Sequence, residues 1–476
     1  MTDEGARADE SSSGPPDGTT VSVTPWVDRP PVNVSLLNPA PFGWWPAVIL
    51  AFVGMVDRLD SSMVGGVLTK IQAEFGFSDA FAGVLFAAPV IAAALLLIPA
   101  GILADRGQRT RLLTMVILAW SVLTLGSGVA PTLAVFLLMR TLLGVAAPLN
   151  IPIVGSLVGD YYPPIGRSRA FGIIRVLEYL GFPLGIALGA ALGGAFGWRS
   201  AFFVAAVPGL VIAAVVFFVL REPVRGVGDW LGSQEPEIEA QVIDTNSAAL
   251  ESETEDVRGF TGFRDLLSQV WAIPTVRVLV IAQALLYCAF SGLFSFSTAF
   301  FERTQGLTTA RAGAVAGGVG LVGIMVGGSL AGFLGDRPRG RSGWRIRLSS
   351  VGLVVASVMV LILAAAPSLG VQVVAFATIN CASLIAIVNL GAATADVVPA
   401  RIRGAGFSVL QFLITFGSAS GPLIVGGVSA ATGGNLRWGY AAMVIPFLVG
   451  SLFLRRGIHT YGADARAVLA QTDVSD

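Results

Sequence analysis

The sequence predicts an all-α integral membrane protein of twelve transmembrane helices in two pseudo-symmetric six-helix bundles. Three observations carry this expectation. Of 476 residues, 54% are hydrophobic and 13% charged, about half the charge of a soluble domain. Apolar stretches of about twenty residues or more recur, long enough to cross about 30 Å of hydrocarbon. The patterns at the ends of these stretches return after about 231–240 residues, as expected of a transporter built from repeats around a central site.

The elements follow in order. Residues 1–43 are rich in Ser, Pro, Gly, Asp and Glu and lack the basic start and apolar core of a signal peptide. They read as a disordered cytoplasmic tail. Six apolar blocks follow, at about 44–68, 81–104, 111–129, 132–158, 169–195 and 199–220, and form an N-terminal bundle over 44–220. Residues 221–273 contain the acidic runs "EPEIEA" and "ESETED" and read as a linker. Its last part, Phe263–Ile273, has the pattern of a short surface helix. Blocks at about 274–300, 309–335, 348–366, 370–397, 404–431 and 438–455 form a C-terminal bundle over 274–456, and 457–476 is a second tail.

Arginines set the orientation. Arg106, Arg109 and Arg111 follow block two, Arg167 and Arg169 follow block four, and Arg337 to Arg347 follow block eight. The opposite loops are poor in basic residues. The positive-inside rule then puts both termini and the linker in the cytoplasm, with the cell membrane as the site of residence.

Thirty basic and thirty acidic residues leave a net charge of zero, so no electrostatic case for nucleic-acid binding exists. Cys288 and Cys381 lie in apolar blocks and read as small buried residues. The single histidine, His459, lies beyond the last block, which excludes a histidine metal cluster. No cofactor, metal or catalytic constellation is expected, and no nucleotide-binding loop is present.

Charges inside apolar blocks carry the functional reading. Asp57, Arg58 and Asp60 lie in block one. A charge near the bilayer centre costs at least about 2.5–3.5 kcal/mol, so such groups face a partner or water. Arg140 in block four lies at similar depth and is the expected partner. Two readings stay open: a cluster whose acid pairs with Arg140 or releases it on protonation, or a permanent ion pair locking helices one and four. Arg175 and Glu178, at i, i+3 in block five, form a second pair, either a proton site or a local salt bridge. Asn150, Tyr287, Asn380 and Asn389 are polar groups at membrane depth that would line a substrate cavity or join helices by hydrogen bonds. Gly181, Gly185 and Gly189 with Pro183, and Gly421 with Pro422, mark helices five and eleven as close-packing or hinge elements.

The loop after block two reads Gly101, Asp105, Arg106, Arg109, Arg111, and there the chain resembles the major facilitator superfamily. Within it the pattern is similar to the spinster-like branch. The matching features are Asp57–Arg58, then Arg140 with Gly144 and Val145, "REPVRG" at Arg221–Gly226, "FLGDR" at Phe333–Arg337, and Asn389. Ala147 stands where that branch carries glutamate. The resemblance implies alternating access, usually by a monomer, and a lysophospholipid or sphingoid-phosphate substrate. It also implies a cytoplasmic gate at Gly101, Asp105, Arg106, Arg109, Asp336 and Arg337, with Asp160 and Asp396 as partners of the arginines. Protons are the expected coupling ion. A multidrug exporter, an organic-anion/proton symporter and a non-transporting receptor on the same scaffold are the alternatives.

Overall fold

The computed structural model describes residues 20–23, 32–35, 39–105, 108–146, 149–227, 268, 271–335, 343–398 and 403–472. Helices account for nearly all of them. The N-terminal half holds α1 (Trp45–Phe75), α2 (Asp79–Asp105), α3 (Arg109–Gly128), α4 (Leu133–Ala146), α5 (Asn150–Tyr161), α6 (Pro164–Phe196) and α7 (Trp198–Val219). The C-terminal half holds α8 (Pro274–Ser295), α9 (Ser297–Gln305), α10 (Thr309–Gly335), α11 (Trp344–Ala365), α12 (Leu369–Val397), α13 (Arg403–Ala431), α14 (Leu436–Ala442) and α15 (Val444–Thr472).

Each apolar block coincides with a helix or a pair of helices, and among the described residues ten helices are long and apolar enough to cross a membrane. The other two blocks differ for stated reasons. Every 18-residue stretch of α1 contains at least three charged side chains. The block at 132–158 is two short helices, α4 and α5, with Pro148 between them and Pro152 in the first turn of α5. Proline lacks the amide donor and is tolerated best in a first helical turn. Blocks seven and twelve are likewise helix pairs, each interrupted at a single residue, Phe296 and Met443.

Both termini are more structured than the composition implies. In the leading segment, β1 (Thr20–Val23) and β2 (Val32–Ser35) pair antiparallel, with Thr20 opposite Ser35. Residues 39–44 pack on the helices: the Phe42 ring meets Tyr161 edge-on at 6.1 Å, and Trp44 stacks on Tyr162 at 5.4 Å. At the other end α15 runs on to Thr472, and Asp464 accepts from the Thr275 amide at 2.9 Å. The polar stretch after block twelve continues that helix because it packs back on α8. Most of the linker, including the expected surface helix, lies outside the described residues, though residues 271–272 are helical.

The loops at the arginine-poor end turn on glycines. Gly76 closes α1 at φ +68°, with its amide on the Gln72 carbonyl, and Gly306 closes α9 at φ +63°. Left-handed backbone of this kind favours glycine.

Apolar cores fill each half, and the C-terminal one also takes in Leu68, Ala82 and Ile186 from the N-terminal half. The halves therefore share a packed seam. Across it α2 lies on α13 and α6 on α10. The close approaches are made by glycines near the arginine-poor end. A methyl group at Gly83 would lie 2.6 Å from the Pro422 carbonyl, and one at Gly317 would lie 2.5 Å from that of Pro183. Within the N-terminal half, Gly181, Gly185 and Gly189 of α6 rest on the backbone carbonyls of Met55, Leu59 and Met63 of α1. Pro183 and Pro422 lie inside continuous helices.

A first prediction follows from this packing. Gly185→Ala drives a methyl group into the Leu59 carbonyl and the Ser62 hydroxyl, and over-packing of this kind costs about 1–3 kcal/mol. Gly172, with nothing within 4 Å of its added methyl, is the control. Thermal unfolding in detergent should show a lowered midpoint for Gly185→Ala and none for Gly172→Ala.

Candidate functional site

Two groups of intramembrane charges are formed, and their pairing corrects part of the expectation. Asp60, and not Asp57, takes Arg140: Nη1 donates to Oδ2 at 3.1 Å and Nη2 to Oδ1 at 3.4 Å. Both side chains are buried, at 4% and 2% exposure. Arg140 also donates Nε to the Ser127 hydroxyl at 3.1 Å, and its guanidinium lies 4.7 Å from the Phe202 ring centroid. Asp60 is one turn nearer than Asp57 to the arginine-poor end, and it faces α4. The buried Arg140–Asp60 pair therefore joins α4 to α1.

Arg58 points the other way, to α6. It donates Nε (2.9 Å) and Nη2 (2.6 Å) to Glu178 Oε1, while Arg175 donates Nη1 to Oε2 at 2.8 Å. The expected local pair of Arg175 and Glu178 is thus a three-membered cluster spanning two helices. Asp57, half-buried beside it, makes no hydrogen bond among the described residues and lies in the field of Arg58 and Glu178. Tyr179 follows Glu178, and its hydroxyl is 3.3 Å from that of Tyr287 on α8. That contact bridges the seam and is a hydrogen bond between helices, one of the two readings left open for Tyr287.

The expected cavity asparagines are placed differently. Asn380 donates to the Phe376 carbonyl of its own helix at 2.8 Å and Asn389 to Ile385 at 2.9 Å, both at most 2% exposed. Asn389 also reaches the Ala331 carbonyl on α10 at 3.3 Å. Their polar atoms are taken up by backbone because glycines on α10, Gly323 and Gly335, bring that helix against them. Asn150 is buried at 8% exposure, and its Oδ1 has no partner among the described residues.

At the arginine-rich end, Arg109 is enclosed. It contacts Asp160 through Nη1 and donates to Glu222 (2.8 Å), Ser156 (2.8 Å) and the Pro223 carbonyl (3.1 Å). Glu222 also accepts the Thr110 amide and Asp160 the Gly226 amide, each at 2.8 Å. The start of the linker is thereby fastened to the N-terminal half. In the C-terminal half Arg345 donates to Asp396 at 3.1 Å, and the Tyr461 hydroxyl meets the same carboxylate. Arg109 and Arg345 are 236 residues apart, as are Asp160 and Asp396, so the duplication extends to an ion pair in each half. Burial pushes the Tyr162 phenol up to about 12; it stays protonated at neutral pH and donates to the Gly43 carbonyl at 3.0 Å. Gly101 and Asp105 end α2, and their side-chain contacts, with Arg106, Asp336 and Arg337 entirely, lie outside the described residues.

A prediction concerns that fastening. Arg109→Gln removes the charge between two carboxylates, and hydrogen bonds to charged groups contribute about 1.5–3 kcal/mol. Limited trypsin digestion should cut at Arg221 and Arg225 about tenfold faster or more than in the wild type. An unchanged rate would mean that the linker start is held by something else.

Sequence reasoning missed one cluster, at the arginine-poor end. Arg303 on α9 donates Nη1 (2.6 Å) and Nη2 (2.8 Å) to the two oxygens of Asp79, the first residue of α2. Gln72 donates to Asp79 at 2.8 Å and accepts from Arg303 at 2.9 Å, and Ser429 on α13 donates to Asp79 at 2.6 Å. Asp79 is 4% exposed. This knot joins the two halves, while the close seam contacts of the glycines lie toward the same end. The available signal was an acid two residues before block two and a base three residues after block seven, in loops poor in basic residues.

Two helical halves, joined along a seam, tied at one end and carrying ionic groups between their apolar helices, make a two-bundle membrane protein. The chain belongs to the Major Facilitator Superfamily, whose family model matches residues 50–391. A gallate transporter of Pseudomonas putida is 24% identical over 211 residues, covering 44% of this chain and 45% of that protein. Protein spinster homolog 1 of Rattus norvegicus is 32% identical over 183 residues, covering 38% of this chain and 34% of its own. The chain thus spans less than half the length of these relatives. Among solved structures, an inward-facing, occupied bacterial homologue of the human lysosomal transporter Spinster superposes with a TM-score of 0.67 at 22% identity, covering 90% of this chain and 97% of the other. That likeness is one of fold.

Proposed function

We propose that the protein is a secondary transporter working by alternating access, coupled to protons, that carries an organic anion with an apolar body. The observation supporting this most directly is the Arg58–Glu178–Arg175 cluster beside Asp57, which makes no hydrogen bond among the described residues, at membrane depth and next to the seam. Charges placed there at a cost to insertion are the usual mark of an ion or substrate path. With both termini cytoplasmic, the Asp79–Arg303 knot closes the outer side and the protein is in an inward-facing state. It acts as a monomer in the cell membrane and needs no nucleotide.

Two substrate readings remain, both anionic. The likeness to spinster proteins favours a lysophospholipid. The likeness to a gallate transporter favours a small carboxylate, and that reading gains from the Phe182 ring beside the Arg58 guanidinium. Reconstitution into proteoliposomes with an imposed pH gradient tests the proposal. Wild type should carry a fluorescent lysophospholipid or radiolabelled benzoate, and Asp57→Asn should lose the gradient-driven part. Flux indifferent to the gradient would remove proton coupling; saturable binding without any flux would make the protein a receptor.

A further inference from the structure

Glu178 holds two cations with one carboxylate. A guanidinium has five N–H donors. Arg58 spends two of them and Arg175 one on Glu178. The two arginine side chains remain 34% and 60% exposed, whereas Glu178 is 13% exposed. Bidentate, planar recognition of a carboxylate or phosphate is what such donors do best, and Glu178 itself is the model for the ligand.

Among the described residues the charges around it are few and can be counted. Asp57 faces Glu178 from α1, Tyr179 follows it on α6, and Tyr287 faces the two arginines from α8. Asp60 is committed to Arg140. Two guanidiniums against Glu178 and Asp57 sum to zero when both acids are ionised. Adding an anion to that set leaves an uncompensated negative charge in a medium of low dielectric, which is costly. Taking up one proton removes the cost. Glu178 is the carboxylate to protonate, because it occupies the donors an incoming oxyanion needs, and Asp57 does not.

We infer that a substrate oxyanion replaces Glu178 on Arg58 and Arg175 while Glu178 takes up one proton from solvent, so that each monoanion enters the site with one proton. An O–H bond forms on Glu178 as one breaks in the hydronium or buffer acid that supplies the proton, and both guanidiniums stay protonated. Phe182 lies 5.3 Å from the Arg58 guanidinium, Phe294 lies 5.8 Å from Phe182 across the seam, and Phe290 stacks on Phe294. Phe182, partly exposed beside Arg58, offers an aromatic ring to an apolar body attached to the anionic group. The inference rests on the transporter reading and specifies its substrate as a monoanionic carboxylate or phosphate ester.

The test is proton counting on the purified full chain. Benzoate supplies the carboxylate and lysophosphatidylglycerol the phosphate ester, each titrated calorimetrically in two buffers of different ionisation enthalpy. Wild type should take up about one proton per anion bound. Glu178→Gln should bind the same probe at least as tightly, with no proton uptake, because no charge remains to be displaced. Equal proton uptake by Glu178→Gln overturns the inference, as does loss of binding in a Glu178→Gln protein that keeps the wild-type thermal midpoint. If that variant does not fold, wild type decides alone: anion binding with no proton taken up also overturns it, whatever the vesicle flux shows. Binding of one probe and not the other identifies the oxyanion. Binding of neither sinks the ligand class, while pH-driven flux in vesicles separately decides the transporter reading.

Discussion

Arg140→Leu should destabilise the protein by about 3–5 kcal/mol, because it leaves Asp60 as a buried carboxylate without a counter-charge. Asp60 has 2% of its side chain exposed, and Arg140 is its only ion-pair partner among the described residues. Loss of folded protein in size-exclusion chromatography and a lowered thermal midpoint are the expected readouts. The double variant Asp60→Leu, Arg140→Met should recover most of the stability, since an apolar pair of similar volume often matches or exceeds a buried ion pair. If the double variant also transports with wild-type pH dependence, the pair is structural and coupling belongs to the Arg58 cluster. If Arg140→Leu is as stable as wild type, the buried pairing is wrong.

Arg303→Ala should shift the protein toward a state open at the arginine-poor end. Truncating one partner of a buried, hydrogen-bonded charge pair at an interface costs about 2–5 kcal/mol; Arg303 is 32% exposed, which puts this pair at about the lower end, and each 1.4 kcal/mol is about tenfold in population. A shift of about 30-fold or more follows if the pair exists only in the closed state. Spin labels at Ala73 on α1 and Ala431 on α13, both exposed, report the opening as a longer distance component. The charge swap Asp79→Arg, Arg303→Asp should return part of the short component. A distance distribution that does not change in Arg303→Ala would show that glycine packing alone closes the seam.

Much of the architecture was legible because lipid imposes it. Backbone groups inside a bilayer must be satisfied within the segment, so apolar length translates directly into helix, and the duplication supplies the halves. The Arg109–Asp160 and Arg345–Asp396 pairs were legible for a related reason: repeats carry their end contacts with them. What depended on rotation about a helix axis was not legible. Asp57 and Asp60 differ by one turn, and only the packing of α1 decides which of them meets Arg140. Glu178 looked local because Arg175 is three residues away, yet Arg58 reaches it across the α1–α6 contact. Asn380 and Asn389 read as polar and available, but glycines on the facing helix α10 brought its backbone close and consumed the space. The Asp79–Arg303 knot depends on two halves meeting, which no local pattern encodes.

The glycine ladder between α1 and α6 has a mechanical meaning. With their backbones in contact along Gly181, Gly185 and Gly189, the two helices have no slack between them and bend as a single beam. The beam meets α10 near Pro183. From there to Pro164, nineteen residues at about 1.5 Å each give an arm of about 28 Å. A tilt of about 10° at that fulcrum would swing the free tip by about 5 Å, roughly the pitch of one helical turn. A change of about 1.3 Å where Glu178 sits, five residues from the fulcrum, is thereby magnified about fourfold at the tip of the lever.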